Sequence, residues 1–120
     1  MKTYITVFTL VLFISCKDTP GSKSAVVTNN PVKAGQELFE GAGNCIACHK
    51  TDQKIIGPSI KEIATIYKQK KGNLVAFLKG IDPPIVDPSQ YESMKINLEV
   101  TKNMKEGELK ALEAYIYSFN

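Results

Sequence analysis

The chain has 120 residues, which is enough for one small domain. Its 15 basic residues are all lysines, its 12 acidic residues nearly balance them, and the formal net charge is +3. So mild a charge, with no arginine for bidentate phosphate contacts, argues against a nucleic-acid partner.

The first 15 residues predict a secretory signal peptide. A short basic start precedes an uncharged, mostly apolar run from Tyr4 to Ile14. Eleven helical residues rise only about 16 Å, and a hydrocarbon core of about 30 Å needs more. The run is therefore interpreted as a signal segment rather than a permanent membrane span.

Cys16 directly follows this segment, in the sequence Phe13-Ile14-Ser15-Cys16. This order resembles a bacterial lipoprotein processing site, in which the cysteine is lipidated and becomes the new N-terminus. Such a lipid would also explain an odd cysteine in an exported protein. We expect a lipid on Cys16 to hold the protein at the periplasmic side of a bacterial envelope. The alternatives are a retained anchor or ordinary secretion with a free thiol.

Residues 16–32 are small and polar with two prolines, which predicts a flexible tether. Residues 33–120 then form the predicted domain. Its first helix is expected from Lys33 to about Ala42, with Leu38 and Phe39 facing inward.

Cys45-Ile46-Ala47-Cys48-His49 comes directly after this helix. Two thiols at this spacing can each add to one vinyl group of the same porphyrin, and the following histidine reaches the iron. The pattern is therefore typical of covalent attachment of one haem c. A zinc site would lack a fourth protein ligand, a thioredoxin-like pair would need a βαβ unit, and a disulfide would leave His49 unexplained.

His49 is expected to bind iron through Nε2 and to donate its other N–H to a backbone carbonyl. Gly57-Pro58 follows nine residues later. Proline shapes a turn there, and the Pro58 carbonyl is free to accept that hydrogen bond.

Further apolar residues recur at helical spacing, and no strand pattern appears, so the predicted fold class is all-α. The last helix is expected to have Lys105 as its N-cap, with Met104 and Leu109 forming a hydrophobic staple. Residues 81–103 predict a long loop over the haem face, with a helical turn near residues 89–94. The helical stripes comprise Ile60, Ile63, Ala64 and Tyr67, then Leu74, Phe77 and Leu78, and finally Leu109, Leu112, Tyr115, Ile116 and Phe119.

These segments together resemble a bacterial class I cytochrome c over residues 33–120. The resemblance rests on Gly35 with Leu38-Phe39, the Cys45–His49 motif, Gly57-Pro58, a loop methionine and Tyr115-Ile116. It implies several short helices wrapped around one haem. It also implies that Gly35 and Phe39 on the first helix cross Tyr115 on the last.

The sixth iron ligand is expected to be Met94, with Met104 as the alternative. Met94-Lys95-Ile96-Asn97 resembles the family's Met-x-x-Asn, in which the asparagine amide can hydrogen-bond the ligating sulfur. Met104 already has a structural role as the staple. Each methionine could also simply fill the core.

Histidine and methionine on one iron leave no open position for a substrate, and a thioether favours ferrous iron. We therefore expect a monomeric electron carrier between redox protein partners, and not an enzyme. The alternative is a haem enzyme or a small-ligand sensor with a weak or open sixth site. A dedicated subunit of a larger oxidoreductase would use the same haem chemistry.

Overall fold

The structure is a computed structural model that describes residues 29–119. The predicted signal peptide, Cys16 and most of the predicted tether lie outside these residues. No helix within residues 29–119 is long and apolar enough to cross a membrane.

Residues 29–119 fold into six α-helices and two short 3₁₀ helices without a β-strand, which confirms the all-α prediction. The 3₁₀ helices cover Cys45–Ala47 and Pro88–Gln90. The α-helices are α1 (Pro31–Glu40), α2 (Ile60–Lys70), α3 (Leu74–Leu78), α4 (Tyr91–Lys95), α5 (Leu98–Lys102) and α6 (Glu106–Tyr117).

Helix α1 begins at Pro31, two residues before the predicted start. The Asn30 carboxamide oxygen accepts hydrogen bonds from the backbone N–H groups of Val32 and Lys33, at 3.0 and 3.2 Å. Proline is favoured at the first helical position because its missing N–H would have no partner there anyway. Asn30 and Pro31 therefore start a helix in what was predicted to be tether.

Helices α1 and α6 cross at Gly35, as the resemblance implied. A Cβ at position 35 would lie 2.6 Å from the Ala111 carbonyl carbon and 2.7 Å from Tyr115 Cβ. Only glycine allows this approach. One turn further along α1, the ring of Phe39 packs on Tyr115 with centroids 5.3 Å apart.

The N-terminus of α6 has the predicted N-cap, Lys105. Its backbone N–H donates to Glu108 Oε2 at 2.7 Å, which is one half of a capping box. Leu109 is fully buried, and Met104 packs against the same core. Met104 and Leu109 thus occupy the two positions of the predicted staple.

The prediction for residues 81–103 was wrong in one respect. This segment contains two helices, α4 and α5, where a loop with a single turn was expected. Their common inner face carries Met94, Leu98 and Thr101, and Leu98 is 1% exposed. Burial of this face stabilises helices too short to form by themselves.

Candidate haem site

An apolar cavity lies among the helices and forms the centre of the fold. It has a volume of about 170 Å³ and is partly open to solvent. Its wall is formed by α1 to α6, by the segment 43–49 and by the loop before Pro88. All six predicted site residues line it, namely Cys45, Cys48, His49, Pro58, Met94 and Asn97.

The two thiols are placed by a tight turn at the end of α1. Asn44 adopts a left-handed conformation with φ of 46°, and the 3₁₀ helix starts at the next residue. The His49 N–H donates to the Cys45 carbonyl at 3.0 Å, so His49 follows Cys45 by one helical turn. Cys45 and Cys48 are half-buried and unbonded to each other.

Burial raises the pKa of the Cys45 thiol to about 11. The free thiol is therefore protonated at neutral pH. Among residues 29–119, no group of three or more His, Cys, Asp or Glu side chains could hold a metal ion. The zinc alternative accordingly lacks a set of protein ligands in this part of the chain.

His49 is oriented by the predicted hydrogen bond. The ring is 8% exposed, and Nδ1 lies 2.7 Å from the Pro58 carbonyl oxygen. A carbonyl only accepts, so Nδ1 must carry the proton, and Nε2 of the neutral ring keeps its lone pair. Nε2 has no hydrogen-bond partner within residues 29–119 and is available as an iron ligand.

Gly57 lies against the imidazole near Cε1 and Nδ1. A Cβ at position 57 would lie 2.5 Å from His49 Cε1 and 2.8 Å from Nδ1. The Gly57 N–H also donates to the Cys48 carbonyl at 2.9 Å. The Gly57-Pro58 turn is thus fastened to the attachment motif and fixes the ring that follows it.

The two candidate methionines lie in different places. Met94, on α4, lines the cavity together with Asn97, whose N–H donates to the Met94 carbonyl at 2.8 Å. Met104 does not line the cavity. The cavity therefore contains two thiols, one imidazole and one thioether among apolar walls, a set of groups that fits a covalently attached haem.

Comparison of the sequence with known protein families and proteins agrees with this geometry. The family model described as cytochrome c matches residues 32–120. Cytochrome c-552 of Nitrosomonas europaea is 33% identical over 78% of this chain and 85% of its own length. The chain belongs to the cytochrome c family. Membership implies one covalently attached haem c and a role in electron transfer rather than in enzyme catalysis.

Two shorter matches concern cytochromes c-551. The protein of Azotobacter vinelandii is 40% identical over 33% of this chain and 48% of its own length. That of Pseudomonas denitrificans is 46% identical over 28% of this chain and 39% of its own length. Together with the cytochrome c-552, they agree with the predicted bacterial class I cytochrome c.

Sequence reasoning missed a row of aromatic rings in the wall of this cytochrome's cavity. Phe77 stands between Tyr67 and Tyr91, with ring centroids 6.3 Å from each. Burial raises the pKa of the Tyr67 hydroxyl, which therefore stays neutral. Tyr67 and Phe77 were predicted only as inward-facing helix residues, since a core stripe and a cofactor wall have the same spacing. Tyr91 does not belong to any of the predicted helical stripes.

Proposed function

We propose that this cytochrome c is a monohaem electron carrier whose iron is ligated by His49 and Met94. The observation that carries the proposal is that both side chains line the cavity shared by Cys45 and Cys48, whereas Met104 does not. The nearby Asn97 further supports Met94, because its amide is the group expected to hydrogen-bond the ligating sulfur.

The haem would supply the chemistry, since its iron changes between the ferric and ferrous states by one electron. The protein side chains hold it in place. Cys45 and Cys48 would anchor the ring covalently, and the Pro58 carbonyl would keep the His49 imidazole in one tautomer. With His49 and Met94 both holding the iron, no site would be left for a substrate.

Redox protein partners would dock near the attachment motif. Ile46, between the two cysteines, is 39% exposed, and Ile56, on the cavity wall, is 61% exposed. Large apolar side chains in contact with solvent are suited to a brief contact with another protein. The protein would act as a monomer, and Cys45 and Cys48 would hold the haem next to this contact surface.

The predicted domain organisation gives this carrier a fixed location. Residues 1–15 would be removed as a signal peptide, a lipid on Cys16 would attach the mature protein to a membrane, and residues 16–32 would form the tether. The carrier would work at the periplasmic side of the bacterial envelope. Intact mass of the mature holoprotein tests this, because a lipid and one haem each add a defined mass. A Cys16→Ser variant would lose the lipid mass.

The ligand assignment is tested by visible spectroscopy of purified holoprotein. The ferric native protein should show the weak far-red band of methionine–iron coordination, and Met94→Ala should abolish it. Met104→Ala is the matched control and should keep the band, because Met104 lies outside the cavity wall. If only Met104→Ala lost the band, the ligand would be Met104 and not Met94. Rapid carbon monoxide binding by the native ferrous protein would instead favour a ligand sensor.

A further inference from the structure

Thr101 on α5 is a buried hydroxyl residue in the cavity wall. Its side chain is 4% exposed, and it lines the cavity with Met94 and Asn97. Thr101 Oγ1 lies 2.6 Å from the Leu78 carbonyl oxygen and 3.0 Å from the Leu98 carbonyl oxygen. A hydroxyl has one proton, and the shorter contact identifies Leu78 as its main acceptor.

Leu78 is the last residue of α3, and its carbonyl cannot find a partner inside that helix. The N–H groups that follow donate elsewhere, with Gly80 bonding the Phe77 carbonyl and Ile81 bonding the Ala76 carbonyl. Within residues 29–119, the Leu78 carbonyl accepts a hydrogen bond from Thr101 alone. This bond therefore ties α5 to the end of α3.

Thr101 belongs to the same helical segment as Met94. Between α4 and α5, Ile96 and Asn97 keep right-handed helical angles, with φ of −62° and −73°. Met94 and Thr101 are seven residues apart, so they lie on one face of this nearly continuous helical segment. Holding Thr101 against Leu78 fixes the rotation of the segment and with it the direction of the Met94 side chain.

We propose that Thr101 is a positioning residue for the methionine ligand, acting through its hydrogen bond to Leu78. The inference rests on the proposed ligation by Met94. Without the hydroxyl, α5 would turn or shift more freely, and the sulfur would spend more time away from the iron. The Leu78 carbonyl would also be left buried without a donor.

The test uses Thr101→Val, which keeps the side-chain shape and removes the hydroxyl, and Thr101→Ser, which keeps the hydroxyl. Added imidazole competes with a methionine ligand, so its affinity for the ferric holoprotein measures how readily the sulfur detaches. We expect imidazole to bind Thr101→Val about fivefold more tightly than the native protein, as loss of one hydrogen bond predicts. Thr101→Ser should restore the native affinity. Amide hydrogen exchange should be faster in residues 91–102 of Thr101→Val.

Leu112→Val separates positioning from a general loss of stability. Leu112 is 1% exposed on α6 and does not line the cavity, so its truncation should lower the unfolding midpoint without changing imidazole affinity. The inference is overturned if Thr101→Val binds imidazole with the affinity of the native protein. It is also overturned if Leu112→Val gains as much imidazole affinity as Thr101→Val does. Met94→Ala, measured alongside, tests the proposed function itself. If the far-red band survives in Met94→Ala, Met94 is not the ligand, and this inference fails with it. Loss of the band with a silent Thr101→Val refutes the positioning role alone.

Discussion

At the scale of single residues, the contact of Gly57 with the His49 ring leaves no room for a side chain. The missing side chain leaves room for the imidazole, and the Pro58 carbonyl oxygen accepts a hydrogen bond from Nδ1 at 2.7 Å. A methyl group at position 57 would lie 2.5 Å from Cε1, well inside van der Waals contact. The ring or the turn would have to move.

Gly57→Ala should therefore disturb the axial histidine while leaving the covalent attachment intact. We expect the haem to remain bound through Cys45 and Cys48, with a weaker His49–Pro58 hydrogen bond. A less basic imidazole stabilises ferric iron less, so the reduction potential should rise. Redox titration of the holoprotein measures this. Gly107→Ala is the control, because a Cβ there meets nothing within 4 Å, and its potential should equal the native one.

Prediction from sequence was most specific for residues with a rare, fixed spacing. Cys45, Cys48 and His49 were found because two thiols and an imidazole in one helical turn suit few structures besides a haem. Tyr91 was missed, since a lone tyrosine beside serine and glutamate has no pattern that distinguishes a cavity wall from a surface. The choice of Met94 over Met104 needed resemblance to a family, and its confirmation needs the spectrum.

At the scale of elements, the crossing of α1 and α6 connects the two ends of the domain. Their contact is the most extensive between any two helices in residues 29–119. It brings Phe39 and Ile116, one from each helix, to the wall of the cavity. The crossing thus supplies part of the cavity wall.

Gly35→Ala should destabilise this crossing. The added methyl group would clash with the α6 backbone at Ala111, and overpacking of this kind costs about 1–3 kcal/mol. Chemical denaturation of the holoprotein measures the free energy of unfolding. Gly107→Ala again serves as the control and should be neutral or stabilising by up to about 1 kcal/mol, because it adds a good helix former in open space. Equal stability of Gly35→Ala and the native protein would contradict the close crossing.

The elements were predictable where an apolar stripe ran for two turns or more, as in α2 and α6. Helix α3 is as short as α4 and α5, but Leu74, Phe77 and Leu78 give it an apolar stripe. Helices α4 and α5 have no such run of large apolar residues at helical spacing. The sequence motifs that precede these two helices, Asp82-Pro83-Pro84 and Asp87-Pro88, are typical of loops. What makes them helical is burial of Leu98 and Thr101 against the rest of the fold, and a sequence does not display that burial.

At the scale of the whole molecule, contacts distant in sequence close the chain around the cavity. Lys54, which follows the attachment motif in sequence, forms an ion pair at 2.7 Å with Asp87. Asp87 comes shortly before α4, the helix that carries Met94. Lys70 Nζ, at the end of α2, donates to the Ile85 carbonyl at 2.9 Å. Both contacts are exposed, and such contacts add little stability. We therefore expect the helices around the cavity to depend on the haem that would fill it.

A chain without haem should accordingly lose most of its structure. The double variant Cys45→Ala/Cys48→Ala cannot form either thioether bond, and we expect a large decrease in helical circular dichroism at 25 °C. Helices of five residues are unstable by themselves, and an unfilled apolar cavity costs further stability. Cys45→Ala, which keeps one thioether bond, should retain haem and helical signal. A double variant that unfolds cooperatively with native helical content would contradict this dependence, because its core would then be complete without the ring.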